Sequence, residues 1–525
     1  MSRFFKVVRF LIPLTVILAS LGTAFGSATS RPSSATPKTI QIAAQGPAAV
    51  IDPMFSNSYN VREIVAHAFD TLVAFNEKFA ITPNLAASWK VTRGNTVWTF
   101  TMVKGIKFQD GEKLTAADAA ASLNRYIKYG VGGAGFGANI DSVTAPGKYT
   151  LRIMLKTANP NLLASLANPL TFIVIMPARY AATTTALTPP NLIGTGPYRI
   201  TAYVPNQYTD LTLFKGYTPP NRKPASGYAG DRKGTVNKIR YNVTLTQQTR
   251  LAGLETGQFQ YAEFLPYDSY SSLHKSKRVR DFVIDPFTKA VMYVNQWSGP
   301  LTNVYLRRAM VESLNTDSVM KFITGNHKAF YRLDPSIFFP QQKLWYDPTV
   351  GKGLYNKPNM AKVKADLARA NYHGEEITIL TNQDFPYMFA MASTAATQWQ
   401  AAGINAKLST MTWASQLTYL TKHDGWSLFT SGNSLRFDPS VFSSQFVPGG
   451  SLNFGYNSSD MVAAMNRGLL TRNTKVRQKS YKRVQQLVYS EVPMIQFGDF
   501  DELDGGARTI NGLRPWYTAR FWLVH

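Results

Sequence analysis

Cysteine is missing from all 525 residues. That excludes disulfides, thiolate metal sites, cysteine nucleophiles and a lipid attached through a lipoprotein cysteine. Histidine is scarce and scattered over positions 67, 274, 327, 373, 423 and 525, so the paired spacing of a zinc protease motif is not met. Neither GxSxG nor GxxxxGK(S/T) occurs, which removes the serine-hydrolase elbow and the phosphate-cradling loop. Gly133, Gly135 and Ala138 match GxGxx(G/A). No buried strand precedes them and Asp141 stands too close to act as a ribose-binding acid, so they read as a loop of small residues. Beyond the N-terminal segment no apolar run approaches the ~20 residues of a spanning helix. The best, Leu170 to Met176, suits a buried strand. Low-complexity runs are absent too, and 45% apolar with 17% charged residues is a globular composition.

Acidic residues are also in short supply: 31 Asp and Glu face 56 Lys and Arg, a net charge of +25. A nucleic-acid binder would gather the excess on one helix or arm. Here it is spread along the chain, and the densest group, Lys275, Lys277, Arg278 and Arg280, reads as a solvated face. No nucleic-acid partner is expected.

What is present begins with Arg3, Lys6 and Arg9 ahead of an apolar core from Phe10 to Leu21 and the small residues Gly26, Ser27 and Ala28. This pattern reads as a cleavable export signal over residues 1–28. Pro13 and a 12-residue core argue against a retained anchor. A Ser/Thr/Pro linker follows over 29–38, and structure is expected from Thr39 to Ala44. Alternation places Trp98, Phe100 and Met102 on one strand face, and Tyr149, Leu151, Ile153 and Leu155 on another. Helical spacing marks Leu306, Ala309, Met310, Ser313 and Leu314, and again Tyr481, Val484, Leu487 and Val488. Breaks rich in Pro and Gly lie at 188–196 and 217–234, with a third irregular region at 334–359. Interleaved strands and helices predict an α/β class with mixed sheets. A chain of 525 residues is long enough for two or more cores.

The run Val103 to Tyr126 carries enough charge to suggest acid/base chemistry. Each charge has a local structural use instead. Asp110-Gly111 is a turn signal closing a strand that ends near Phe108. Thr115 with Asp118 three residues on is a capping box, and Ala116 to Tyr126 continues as a helix.

Pro83-Asn-Leu-Ala-Ala-Ser-Trp89, Trp98-Thr-Phe100, Gly105-Ile-Lys-Phe108, Asp110-Gly111 and Thr115-Ala-Ala-Asp118 together resemble the dipeptide, oligopeptide and nickel type solute-binding proteins of ABC importers, solute-binding protein family 5. The likeness continues in order through Ile51-Asp-Pro53, Gly194-Thr-Gly-Pro-Tyr198, Leu306-Arg-Arg-Ala309, Asn315-Thr-Asp317, Asp438-Pro439 and the run from Tyr481 to Pro493. It implies the large two-lobed periplasmic-binding-protein fold, with mixed sheets flanked by helices, a hinge crossed twice and an extra subdomain in lobe 1. The expected division is 39–50, 186–288 and 499–525 for lobe 1, 51–185 for the extra subdomain, and 289–498 for lobe 2. The implied function is capture of a small solute, a peptide or peptide-like compound, in the inter-lobe cleft, and its delivery to a membrane permease. The resemblance implies an exported, extracytoplasmic monomer that needs no cofactor or metal and performs no chemistry. Three alternatives stay open: a non-peptide anionic solute or metal chelate for the same kind of importer, a secreted hydrolase built from scattered residues, and a receptor or chaperone in which closure signals to a membrane partner instead of feeding import.

The resemblance also assigns ligand contacts. Asn433, Ser434, Arg436 and Phe437 fall on the cleft-lining strand and loop before Asp438-Pro439. Peptide-binding members place a carboxylate there for the peptide's ammonium, whereas this chain has Leu435 and Arg436. Arg436 suits a carboxylate or phosphate, being bidentate and always charged. It also reads as a surface arginine near a helix start. Phe437 either stacks on a ligand or fills core. Tyr59 and Arg62 are expected to face the cleft from the first lobe, and Gln496 and Asp499 from the hinge side. Asp499 is either the missing anchor carboxylate or a solvated loop acid.

Overall fold

The computed structural model describes residues 38–56 and 58–525. The expected export signal over 1–28 and the linker up to residue 37 lie outside the described residues.

An 11-stranded mixed sheet is the backbone of the molecule, running Ala406–Thr410, Ile377–Thr381, Leu428–Ser434, Val279–Val294, Met494–Ala507, Tyr261–Ala262, Thr39–Ala44, Lys238–Val243, Tyr208–Leu213 and Tyr198–Val204, with Tyr331–Arg332 added beside Met494–Ala507. Thr39–Ala44 pairs in parallel with both of its neighbours, as does Ile377–Thr381. The two long central strands are antiparallel. Those two strands carry the chain from one half of the sheet to the other.

A separate four-stranded antiparallel sheet has the order Ala86–Thr92, Val97–Met102, Thr150–Leu155, Ile140–Gly147. Its alternation is the one the sequence shows: Trp98, Phe100, Met102, Leu151, Ile153 and Leu155 are all buried. The helix Ala116–Tyr129 packs against it. Its start is the expected capping box, with the Asp118 carboxylate accepting from the Thr115 amide and hydroxyl, both at 2.8 Å. The preceding strand ends at Met102, short of Phe108, and the Asp110-Gly111 turn follows with Gly111 at φ 93°.

That turn also explains a distant motif. Gln109 is buried and its amide accepts from the Gly194 amide at 3.0 Å while donating to the carbonyls of Ala68 and Tyr198, each at 2.7 Å. Gly196 lies so close that a Cβ there would sit 2.5 Å from the carbonyl carbon of Ala68. Glycine at this point lets the Gly194-Thr-Gly-Pro segment lie directly on the backbone of residues 67–68.

Leu170 to Met176 is buried, as expected, but forms no strand. Phe172 takes φ 38°, and the amides of Ile175 and Met176 donate to the Asp70 carbonyl and the Ser122 hydroxyl. The backbone groups are satisfied without a ladder. The small-residue run at 133–137 is a one-turn helix, Gly133–Gly137, where a loop was expected. Both helical stripes are buried, within Val304–Glu312 and its C-terminal turn and within Thr474–Glu491.

The apolar interior divides. One core gathers residues between 40 and 261 with the C-terminal segment 510–524, and two more lie on either face of the sheet within 290–500. Leu435 and Phe437 belong to the first core although their strand belongs to the other half.

Candidate functional site

The long strands Val279–Val294 and Met494–Ala507 lose register between Ile284 and Thr288. Such a break lets a continuous ladder bend. An ion network holds this point. Lys289, 1% exposed, donates to Asp334 at 2.8 Å and stands 3.4 Å from Asp499, while Arg332 donates to Asp499 at 2.9 Å and to Asp285 at 2.6 Å. Burial raises the Asp334 carboxyl to about 6, with Lys289 pulling it down and Asp499 pushing it up. Asp499 is therefore neither a free anchor nor a solvated loop acid: it is fully buried in a strand between two cations. Gln496 is likewise occupied, its amide donating to the carbonyls of Asp334 and Ser336 at 2.9 and 2.7 Å.

The strand Leu428–Ser434 delivers the next segment to the interface between the halves. Asp438 stops the strand by capping the turn that follows, accepting from the Ser440 amide at 2.9 Å and from Arg477 at 2.7 Å. Between them, Phe437 enters an aromatic nest, with ring centroids 5.1 Å from Phe75, 5.7 Å from Phe79, 5.7 Å from Trp516 and 5.1 Å from Tyr517. All four neighbours come from the other half of the molecule. Asn161 adds a second bridge through the Leu469 carbonyl, and Arg472 lies over the Trp98 ring. The halves are closed on each other.

Arg62 and Arg436 both lie near Tyr517 at this seam. Arg62, on the helix Tyr59–Val65, is 7% exposed and holds its guanidinium 5.6 Å from the Tyr517 ring centre and 5.9 Å from that of Tyr59. Arg436 donates to the Asn433 side-chain carbonyl at 3.2 Å. That oxygen also accepts from Tyr293 at 3.0 Å and from Gln445 at 2.8 Å. Burial pushes the Tyr517 hydroxyl above its ordinary pKa, and the charges of Arg62 and Arg436 both pull it back. Tyr59 donates to Glu63 at 3.0 Å and packs edge-on against Phe287 in the crossing segment, 5.8 Å away. Ser434 is paired with Thr288 across the ladder.

The structure thus brings Arg62, Arg436 and Phe437 near Tyr517, with Tyr59 beside Arg62 and Asn433 bonded to Arg436. It separates them from Gln496 and Asp499, which serve the crossing. Two cavities flank the 434–443 segment. One, of about 660 Å³, lies among Tyr126, Phe136, Asn139, Asn168, Ser440 and Leu470. The other, of about 680 Å³, lies among Phe79, Asp285, Gln342, Trp345, Phe437 and Trp516. Both are of the size that takes a small organic molecule.

Residues 80–453 match the profile of the bacterial extracellular solute-binding proteins, family 5. The chain belongs to that family. The probable peptide ABC transporter periplasmic-binding protein y4tO of Sinorhizobium fredii is 24% identical over 529 residues, covering 96% of this chain and 98% of the relative. The glutathione-binding protein GsiB of Escherichia coli K12 is 23% identical over 480 residues, covering 87% and 88%. Among solved structures, the dipeptide-binding protein of Pseudoalteromonas sp. SM9913 in complex with Met-Leu superposes with a TM-score of 0.78 at 17% identity, covering 93% of this chain and 99% of that one. The two-lobed fold of this solute-binding protein is thereby established.

The family's signature residues prove largely structural in this solute-binding protein. Asp52 of the Ile-Asp-Pro motif is buried and paired with Arg125 at 2.7 Å. Sequence reasoning missed a second buried feature. Glu63, Glu263, Glu502 and Asp504 are each at most 2% exposed. Burial raises all four carboxyl groups, Asp504 to about 6. They come from a helix, a loop and one crossing strand, so only the fold assembles them. The alternation of acids in Asp499-Phe-Asp-Glu-Leu-Asp504 was the available signal. Tyr517, at φ 61° and with its hydroxyl unpartnered, was missed as well. No group of three or more His, Cys, Asp or Glu is arranged to hold a metal among the described residues.

Proposed function

We propose that this protein is the extracytoplasmic receptor of an ABC importer: it closes on a small solute and presents the closed form to a membrane permease. Membership of the solute-binding family carries the class, and the burial of Phe437 in the opposite half carries the closure. Closure affinity is the differential stabilisation of that state by the solute. The solute is a peptide or peptide-like compound, a reading supported by relatives whose names record peptide and glutathione binding.

The proposed division is 39–50, 186–288 and 499–525 for lobe 1, 51–185 for its extra subdomain and 289–498 for lobe 2. The separate four-stranded sheet and the register break near residue 285 support it. The binding surface comprises Tyr59, Arg62, Asn433, Ser434, Arg436 and Phe437, while Gln496 and Asp499 contribute by shaping the hinge side. The protein acts as a monomer, after removal of an export signal, and catalyses nothing. The test is native mass spectrometry of protein purified from its own extracytoplasmic fraction, followed by thermal shift with the solutes found. A co-purified solute that raises the melting midpoint supports the reading. Steady turnover of such a solute by the purified protein would replace it with a hydrolase.

A further inference from the structure

The helices Ser459–Leu469 and Thr474–Glu491 pack against each other and leave a groove of about 460 Å³ along their exposed side. Small residues make the close approach possible. A Cβ on Gly468 would sit 2.7 Å from the Tyr481 ring, and Ala463 and Ala464 line the groove without filling it. Four cations, Arg467, Lys479, Lys482 and Arg483, share the rest of the lining with a single acid, Asp460. Only the pairing of the two helices gathers them.

The charge is placed where it works against the local helix. Thr474–Glu491 carries five cations and one acid, Glu491. Lys479 stands four residues from both Lys475 and Arg483 and three from Lys482, spacings at which like charges repel on a helix surface. Arg483 pairs with Asp460 at 2.7 Å and Lys482 with Asp347 at 3.0 Å, with both cations at least half exposed, and pairs of that kind contribute little. Arg467 and Lys479 are exposed and enter no ion pair among the described residues.

Ser480 is an independent observation. It is 3% exposed and lines the same groove, and its hydroxyl has no hydrogen-bond partner among the described residues. A serine in mid-helix ordinarily points to solvent or bonds the carbonyl a turn earlier. Ser480 does neither. A solvated basic face would explain the lysines, but it would not explain a buried, unbonded hydroxyl among them, since such a group is costly unless something accepts from it.

From the cations and the hydroxyl together we infer that the groove is a binding site for a phosphate-type oxyanion. None of its lining residues belongs to the proposed solute surface, so the inference holds whichever solute the receptor carries. Arg467 and Lys479 supply free positive charge, and a tetrahedral oxyanion offers acceptors in several directions, one of them to the Ser480 hydroxyl. The same group is presented by the headgroup of an anionic lipid and by a free phosphorylated compound.

The experiment uses the full chain in two arms. In the first, inorganic phosphate is titrated against chloride at matched ionic strength and the thermal midpoint is read. A site gives a rise of a few degrees that saturates, on top of the unsaturating rise that phosphate gives any protein. In the second, co-sedimentation is compared between vesicles of phosphatidylglycerol and vesicles of phosphatidylcholine. Saturation in the first arm alone assigns a free phosphorylated compound, and selective sedimentation in the second assigns a lipid headgroup. Arg467→Gln combined with Lys479→Gln should abolish whichever response is seen. Ser480→Ala, which leaves every charge in place, should weaken it roughly threefold or more. Lys275→Gln combined with Lys277→Gln, in the densest basic run of the chain, should leave it intact. No response in either arm overturns the site. So does a response that survives in Ser480→Ala at full strength, or one that the Lys275 and Lys277 changes reduce as much as those in the groove, because net charge alone would then account for it.

Discussion

Arg332 and Asp285 meet at 2.6 Å where the two crossing strands lose register. The same guanidinium holds Asp499 at 2.9 Å, and behind it Lys289 closes the network onto Asp334. The buried charges of Lys289, Asp334 and Asp499 are tolerated because each has a partner, and removing one partner strands the rest. Asp499→Ala should therefore lower unfolding stability by about 3 kcal/mol, measured by urea denaturation. A loss below about 1 kcal/mol, as for an exposed ion pair, would show that the network is not structural.

The raised acids set the dependence of stability on pH. A carboxyl whose folded pKa exceeds its unfolded value binds its proton more tightly when folded, so its contribution is complete below about pH 4. It is then lost as pH rises through about 6 for Asp334 and Asp504, and about 8 for Asp501. The melting midpoint should fall between pH 5 and 8.5. Glu502→Gln removes a buried group with neither oxygen partnered. It should flatten that slope, by up to ~1.4 kcal/mol per pH unit where the group titrates. An unchanged slope would count against a titrating cluster.

His67 acts in the opposite direction. It is fully buried, its Nε2 accepts from the Phe521 amide at 3.1 Å, and its Nδ1 lies 2.8 Å from the Glu63 carbonyl. With Nε2 accepting, Nδ1 carries the proton and the ring is neutral. Burial lowers its pKa to about 3. A depressed histidine adds stability that is present above about pH 6.5 and lost as pH falls toward 3. In an NMR titration the His67 ring resonances should stay flat down to pH 5. A His67 midpoint near 6.5 would contradict the buried neutral ring.

Gly196→Ala should cost at least ~2 kcal/mol, in the range of large packing effects, because the new Cβ would meet the Ala68 backbone 2.5 Å away. Thermal melting and limited proteolysis would report it. Retention of the parent midpoint would mean that the Gly194-Thr-Gly-Pro segment can slide off residues 67–68.

Phe437→Ala removes the aromatic contact that bridges the halves. Trp516 lies 5.7 Å away and is the natural reporter. The variant should show altered Trp516 emission and roughly tenfold weaker solute binding or more, by loss of about 1.5 kcal/mol or more of packing in the closed state. Unaltered affinity would show that Phe437 fills core without aiding closure.

Much of the fold is readable from periodicity. The faces of Val97–Met102 and Thr150–Leu155 and the two helical stripes follow from alternation and from spacing of three and four. Leu170 to Met176 is not readable in this way. Its apolar run is the same whether its amides bond to a ladder or, as found, to Asp70 and Ser122. At the seam, sequence order locates Asn433, Arg436 and Phe437, since Asp438-Pro439 fixes their place in the chain. Order says nothing of partners. Asp499 looks like any acid in a loop until Lys289 and Arg332 arrive from positions more than a hundred residues away. Tyr517 has no local signal beyond being aromatic.

Phe437 is a latch built from protein alone. Its contacts with Phe75, Phe79, Trp516 and Tyr517 stabilise closure to the same degree whichever solute is present. Part of the closing tendency is thus common to every cargo, and only the remainder discriminates among them. A receptor arranged in this way trades selectivity for readiness.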